Sequence, residues 1–126
     1  MARRATLDQL RTKRPAEKTV TLTVEGADGP EEIDMLFRAI GHHEYDRLVT
    51  KFPPTAPQKK EGLTYDIERF GPSLISRVCV DPQMTEDDTH ELWNSGQWNR
   101  GEITALFLAA VEICNKGLDI PPTVLD

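Results

Sequence analysis

Threonines alternate with hydrophobic residues between residues 19 and 24, which read TVTLTV. A period of two in β-branched residues is typical of a strand with one apolar face. Because a single strand is not stable alone, it needs a partner. We expect that partner to be the segment 63–67, LTYDI, which also alternates, or the same strand of a second copy of the chain.

After this strand the spacing of hydrophobic residues changes to the intervals of three and four that indicate a helix. Within residues 28–40 the large hydrophobic residues share one face of such a helix. They are Ile33, Leu36, Phe37 and Ile40. A second helix is predicted over residues 43–52, which keep the same spacing and precede a pair of prolines.

A third helix is predicted to begin at Pro72, because proline fits the first turn of a helix. Leu74 and Ile75 then supply a narrow apolar stripe. The helix should stop at Asp81-Pro82, since the residue before a proline disfavours helical geometry.

Capping boxes mark three more helix starts. In this motif the side chains of the N-cap residue and of the third helical residue each bond the other's backbone N–H. The pairs are Thr6 with Gln9, Thr85 with Asp88, and Asn99 with Glu102. We therefore expect a short helix near the N-terminus, one that ends at Gly96, and a last helix that runs to Gly117.

The last helix is the most hydrophobic element. One stripe follows helical spacing and consists of Ile103, Leu106, Phe107, Ala110, Val111 and Cys114. Leu108, Ala109 and Ile113 widen the apolar surface beyond that stripe. A helix that is apolar on more than one side is either central in its domain or covered by a partner.

Trp93 and Trp98 bracket the turn NSGQ before this helix. They are candidates for a partner anchor, because tryptophan is enriched at binding hot spots. The alternative is that they close the core, where most of the tryptophan surface is usually buried. With Leu108, Ala109 and Ile113 they form the set of candidate partner-binding residues.

These elements predict a mainly α, single-domain fold: a small helical bundle with a short N-terminal strand that can form a two-stranded ribbon. A chain of 126 residues suits one domain. We expect a basic N-terminal arm at residues 1–17 and a helical domain at 18–117. The domain should contain an exposed loop at 53–62, and a proline-rich tail should follow at 118–126.

Charge is distributed unevenly. Residues 1–18 hold six basic and two acidic residues, a balance of +4, so the net charge of −6 leaves −10 on the remainder. A basic arm on an acidic body can reach nucleic acid, or it can bind the protein's own body or another acidic surface. The acidic body argues against extended contact with a nucleic-acid backbone, and we expect no nucleic-acid binding.

The cluster GHHEYD contains His42, His43, Glu44 and Asp46, but adjacent histidines do not face one side of a helix. It lacks the ligand spacing of known metal motifs, and we expect no metal site. Solvated residues at a helix start explain it more simply.

Cys79 and Cys114 lie in apolar contexts, where thiols are unreactive, and we expect both to be free. The chain carries none of the common nucleophile or phosphate-binding motifs, so we expect a non-enzymatic protein without a cofactor. No apolar run approaches the length that spans a bilayer, and we expect no membrane association.

The order of segments resembles the tail assembly chaperones of long-tailed, siphovirus-type phages, particularly those of actinobacteria. The resemblance covers most of residues 18–122. It is carried by Phe70, Pro72, Leu74, Ile75, Asp81, Pro82, Met84, Trp93, Gly101, Glu102, Leu106, Phe107, Ala109, Ala110, Asp119, Ile120 and Pro121. One departure is Gly71, which stands between an aromatic residue and a proline that are often adjacent in the family.

The resemblance implies a non-enzymatic assembly factor that binds the tape measure protein and helps deliver the major tail tube protein around it. It also implies self-association, a place in the host cytoplasm and absence from the mature virion. Two alternatives remain open. One is a structural head–tail connector or minor tail protein, and the other is a small DNA-binding regulatory protein that uses the basic arm.

Overall fold

A computed structural model describes residues 3–115 of the chain. In this range the helices and strands are α1 Leu7–Arg11, β1 Glu17–Gly26, β2 Gly29–Arg38, α2 His42–Lys51, α3 Ala56–Lys60, α4 Ile67–Val78, β3 Cys79–Asp81, α5 Glu86–Asn94 and α6 Arg100–Cys114. The predicted helix end at Gly117 and the tail at 118–126 lie outside the described residues.

The fold is mixed α/β, so the expectation of a mainly α bundle is wrong. The described residues are 50% helical and 20% strand, and the strands form one antiparallel sheet in the order β1-β2-β3. Helix α6 packs against β1 and β2, and α4 lies between α6, α5 and α2. The sheet is thus one layer and the helices cover its apolar face.

The helix predicted over residues 28–40 is instead the second strand of a hairpin. Gly26 pairs with Gly29 across a two-residue turn, and Gly29 has φ 118°, a conformation that favours glycine. Val20 lies opposite Met35 and Leu22 opposite Ile33, so their side chains share the apolar face. The hydrophobic residues of this segment fit both helical and alternating spacing, so the spacing allows a helix or a strand. Pairing with β1 selects the strand.

The predicted strand partner at 63–67 is also wrong, because that segment is a loop that leads into α4. Strand β2 is the central strand, and β3 pairs with its far end through Phe37 and Cys79. Phe37 is fully buried there. Strand β1 is consequently one edge strand of the sheet, and the three-residue strand β3 is the other.

Helix α4 begins at Ile67, five residues before Pro72, the predicted start. Asp66 is the N-cap, and its side chain accepts a hydrogen bond from the backbone N–H of Glu68. Pro72 lies inside the helix. All six residues from Phe70 to Ile75 are buried, so α4 is surrounded by the other elements.

The remaining predicted helices match α2, α5 and α6, and the predicted capping boxes are present at the starts of α1, α5 and α6. A further capping box, between Thr55 and Gln58, starts α3 within the otherwise largely exposed segment 53–62. Every residue of α1 is exposed, including Leu7 at 60% and Leu10 at 65%. The arm therefore packs little against the body.

Candidate partner-binding surfaces

Two apolar concavities flank α6, and they divide the predicted partner-binding residues between them. Leu108 is 56% exposed and Ala109 is half-buried, whereas Ile113 is only 3% exposed. Ile113 is part of the core, so its side chain is not free to bind a partner. Trp93 lies on the opposite side of the helix.

The first concavity, which we call the β1 groove, lies between β1 and α6 and has a volume of about 260 Å³. Its strand side is residues 18–22. Its helix side is Ala105, Leu108, Ala109, Glu112 and Ile113. Leu108 is the exposed hydrophobic residue at its rim, so the groove presents apolar surface beside the edge of the sheet.

Strand β1 leaves backbone groups unpaired at this edge. In an antiparallel pair, alternate residues direct their N–H and C=O away from the partner strand. The register places Thr19, Thr21 and Thr23 in that outward set, and their N–H groups donate to no acceptor within residues 3–115. Glu25, two residues further, follows the same alternation: its N–H donates to Glu102 Oε2 at 2.6 Å.

Charges at this edge are balanced. Lys18 Nζ lies 4.0 Å from Glu112 Oε1 at one end of the groove. At the other end, the backbone N–H groups of Glu25 and Asn99 donate to Glu102, which lowers the pKa of its carboxyl. The stretch between them, residues 19–24, carries no charged side chain.

The second concavity, which we call the Trp93 cavity, has a volume of about 400 Å³. Its lining consists of Ile67, Glu68, Trp93, Arg100, Ile103, Thr104 and Phe107. The Trp93 indole packs edge-on against Phe107 with ring centroids 6.2 Å apart, and its N–H donates to Glu68 Oε2 at 2.8 Å. An aromatic wall with one acidic and one basic residue suits an amphipathic helix.

Gly71, the departure from the family pattern, has a packing reason. A Cβ atom at this position would lie 2.5 Å from Trp93 Cη2, which is closer than real contacts allow. The absence of a side chain therefore lets Trp93 lie directly on α4. Trp98 is half-buried against the core and does not line this cavity, so the two tryptophans do not form one anchor.

Half of the fourteen described positions that carry the family resemblance are buried. They are Phe70, Pro72, Leu74, Ile75, Leu106, Phe107 and Ala110. Asp81, the last residue of β3, and Pro82, which follows it, are exposed, and Glu102 caps α6. Asp119, Ile120 and Pro121 lie outside the described residues.

Both cysteine thiols are less acidic than a free thiol. Burial raises the pKa of Cys79 to about 11 and also raises the pKa of Cys114, which disfavours the thiolates. Within residues 3–115, His, Cys, Asp and Glu form no group of three or more that could hold a metal ion.

None of the helices in the described part of the chain combines the length and hydrophobicity needed to cross a membrane.

The sequence analysis selected Leu108, Ala109 and Trp93, which line the two concavities, but it missed the sheet edge beside the β1 groove. The dipeptide Asp28-Gly29 between two alternating segments is a hairpin signal, and it would have paired β1 with β2. With that pairing fixed, β1 is left with a free edge. The edge follows from the topology and is not encoded in β1 alone.

Comparison with known proteins assigns the chain to no family: no protein-family profile, no curated protein and no solved structure matches it.

Proposed function

We propose that this chain is a tail assembly chaperone of a long-tailed phage, which acts without catalysis by binding the tape measure protein. The observation that carries the proposal is the family pattern over residues 70–110, in which Phe70 of α4 packs edge-on against Phe107 of α6 with ring centroids 6.2 Å apart. The same proposal places the chain in the host cytoplasm, where it acts on tail tube subunits. It also expects the chain to be absent from the virion.

The Trp93 cavity supports a chaperone role because it offers apolar surface to a helical client. Trp93, Ile103 and Phe107 supply the hydrophobic wall, and Glu68 and Arg100 lie beside it. An amphipathic helix can place one large side chain in such a cavity and pair its charges at the rim. A tape measure protein with long helices is a client of this kind.

A matched pair of substitutions tests this binding mode. Thr104 and Ala105 are adjacent exposed residues of α6, but Thr104 lines the Trp93 cavity and Ala105 lines the β1 groove. Thr104→Arg fills the cavity, and we expect it to reduce capture of the co-expressed tape measure protein at least about tenfold. Ala105→Arg is expected to leave capture unchanged.

Two outcomes would contradict the proposal. One is that both variants capture the tape measure protein as well as the wild type does. The other is the detection of this chain in purified virions by mass spectrometry, which would favour a structural connector or minor tail protein. Melting temperatures of both variants verify that the fold is intact.

A further inference from the structure

We propose that the chain self-associates by antiparallel pairing of β1 with the β1 strand of a second copy. This pairing lays the basic arm of each copy along the acidic hairpin tip of the other. The inference rests on the free edge and on the charges of the described residues, and it does not depend on the proposed function.

The middle of the β1 edge lacks the features that normally prevent strand addition. Natural edge strands are protected by proline, inward-pointing charges, bulges or a covering element. Residues 19–24 contain no proline and no charge, and the pairing of β1 with β2 runs from Glu17 to Gly26 without a bulge. Lys18 shares the inward face of the strand with Val20 and Leu22, but it lies at the end of the groove, where its ammonium is 4.0 Å from Glu112 Oε1. The outward N–H and C=O groups of Thr19, Thr21 and Thr23 can therefore accept a further strand.

Charge complementarity identifies the occupant of that edge as a second copy. Within the arm, residues 3–14 hold five basic residues and one acid, 5 − 1 = +4, and Glu17, the first residue of β1, adds one acid after this segment. The hairpin tip, residues 25–32, holds four acidic residues and no basic one, a charge of −4. The two segments lie at opposite ends of β1, one before its first residue and one around its last.

The orientation of the pairing follows from these charges. In an antiparallel pair, the residues before β1 of one copy continue beside the end of β1 of the other copy. Each arm then runs past the partner's hairpin tip, and two attractive contacts of +4 with −4 form. A parallel pair would place arm beside arm and tip beside tip, where like charges repel.

Leu108 supports the same arrangement. It lies at the rim of the β1 groove with Ala105 and Ala109, on the sheet face that α6 covers. A second sheet joined at β1 brings the partner's α6 to the same side. Leu108 then lies between two copies, and the small side chains of Ala105 and Ala109 let the helices approach.

The length of the pairing is limited by Glu102. Its carboxylate already accepts the outward N–H of Glu25, so the free part of the edge is Glu17 to Thr23. An antiparallel pair centred on Val20 matches Thr19 with Thr21 of the second copy and Glu17 with Thr23. Every free outward N–H group in that stretch is then paired.

The test is the molar mass of the full chain in solution, measured by light scattering after size-exclusion chromatography and by sedimentation over a concentration series. We expect a concentration-dependent dimer. Thr21→Pro should give a monomer, because it removes an outward N–H but no backbone hydrogen bond between β1 and β2. Thr21→Val is the matched control: like the proline variant it loses the hydrogen bond from the Thr21 hydroxyl to Asp34, but it keeps the outward N–H and should remain dimeric.

Charge exchange tests the arm contact separately. Lys13→Glu/Arg14→Glu takes residues 3–14 from +4 to 0, and Asp28→Lys/Glu31→Lys takes residues 25–32 from −4 to 0. Each should raise the dissociation constant at least about fivefold at low salt, because the attraction between arm and tip is lost. The chain that combines all four substitutions keeps both segments neutral and should bind no more tightly than either double variant. Raising the salt from about 0.05 M to about 0.5 M should weaken the wild-type dimer.

A full chain that is monomeric at every concentration overturns the proposal, and so does a dimer that Thr21→Pro leaves intact. A monomeric chain that binds an extended segment of another protein at β1 also overturns it. Urea unfolding of Thr21→Pro establishes that a monomeric result comes from the edge and not from loss of the fold.

Discussion

Helix α4 carries one narrow apolar stripe and helix α6 carries more than one, yet α4 is the more completely buried of the two. Helix α4 is buried without interruption from Phe70 to Ile75, although that stretch includes Gly71, Pro72 and Ser73. Helix α6 is longer and more hydrophobic, yet Leu108 is exposed. Burial is set by position between layers: α4 is enclosed by three helices and β3, whereas α6 has an outer side.

The same substitution in the two helices should show this difference most clearly. Leu74 is fully buried and Leu108 is exposed. We expect Leu74→Ala to reduce the free energy of unfolding by about 2–5 kcal/mol, through lost burial and the cavity left behind. Leu108→Ala should change it by less than about 0.5 kcal/mol.

Urea unfolding, followed at a protein concentration at which the chain is monomeric, measures both values. Equal losses for the two variants would mean that the outer side of α6 is covered within one copy. That result would also remove the support that Leu108 gives to self-association.

The contact between α4 and α5 should be sensitive to a single methyl group. Gly71→Ala places a Cβ against the Trp93 ring, and we expect a loss of about 1–3 kcal/mol from overpacking. In α6, Gly101→Ala has its nearest neighbour at 3.5 Å and should be neutral or gain up to about 1 kcal/mol, because alanine favours helix. Thermal unfolding of the two variants makes the comparison, and an unaffected Gly71→Ala would contradict the close packing.

A cysteine lies at the end of α4 and another at the end of α6, and the difference in their reactivity is the smallest effect that we expect. Cys79 follows α4 and is buried, whereas Cys114 ends α6 and is half-buried. In the single-cysteine variants Cys114→Ser and Cys79→Ala, iodoacetamide should react more slowly with Cys79 than with Cys114. Both should react more slowly than in urea, because burial raises both pKa values and disfavours the thiolate.

Because burial raises the pKa of Cys79, the free energy of unfolding should depend on pH. The pKa of Cys79 rises from 9.0 to about 11 on folding, so the folded state favours the protonated thiol. Its contribution is complete below pH 9.0 and is lost as the pH rises through about 11. The wild type should therefore lose more stability than Cys79→Ala across that interval, and parallel pH profiles would contradict this.

Short sequence motifs predicted the helix starts that depend only on neighbouring residues. The capping boxes at Thr6, Thr85 and Asn99 fixed the starts of α1, α5 and α6, because both partners of each box lie within four residues. The start of α4 was missed because Pro72 fits a first turn, while the capping residue is Asp66. Strand β2 was missed because its partner lies across a turn, and the surfaces on α6 depend on that pairing.

The position of Trp93 gives the protein an optical reporter of its own. Its ring touches α4 at Gly71, faces Phe107 of α6 and donates its N–H to Glu68. Separation of these helices would transfer the indole to water and shift its emission to longer wavelength. Trp98 also emits, so the reporter is read in a Trp98→Phe chain, where Trp93 is the sole tryptophan. Events confined to the far edge of the sheet would leave that emission unchanged, so the spectrum of this chain distinguishes loosening of the helical layer from a change at β1.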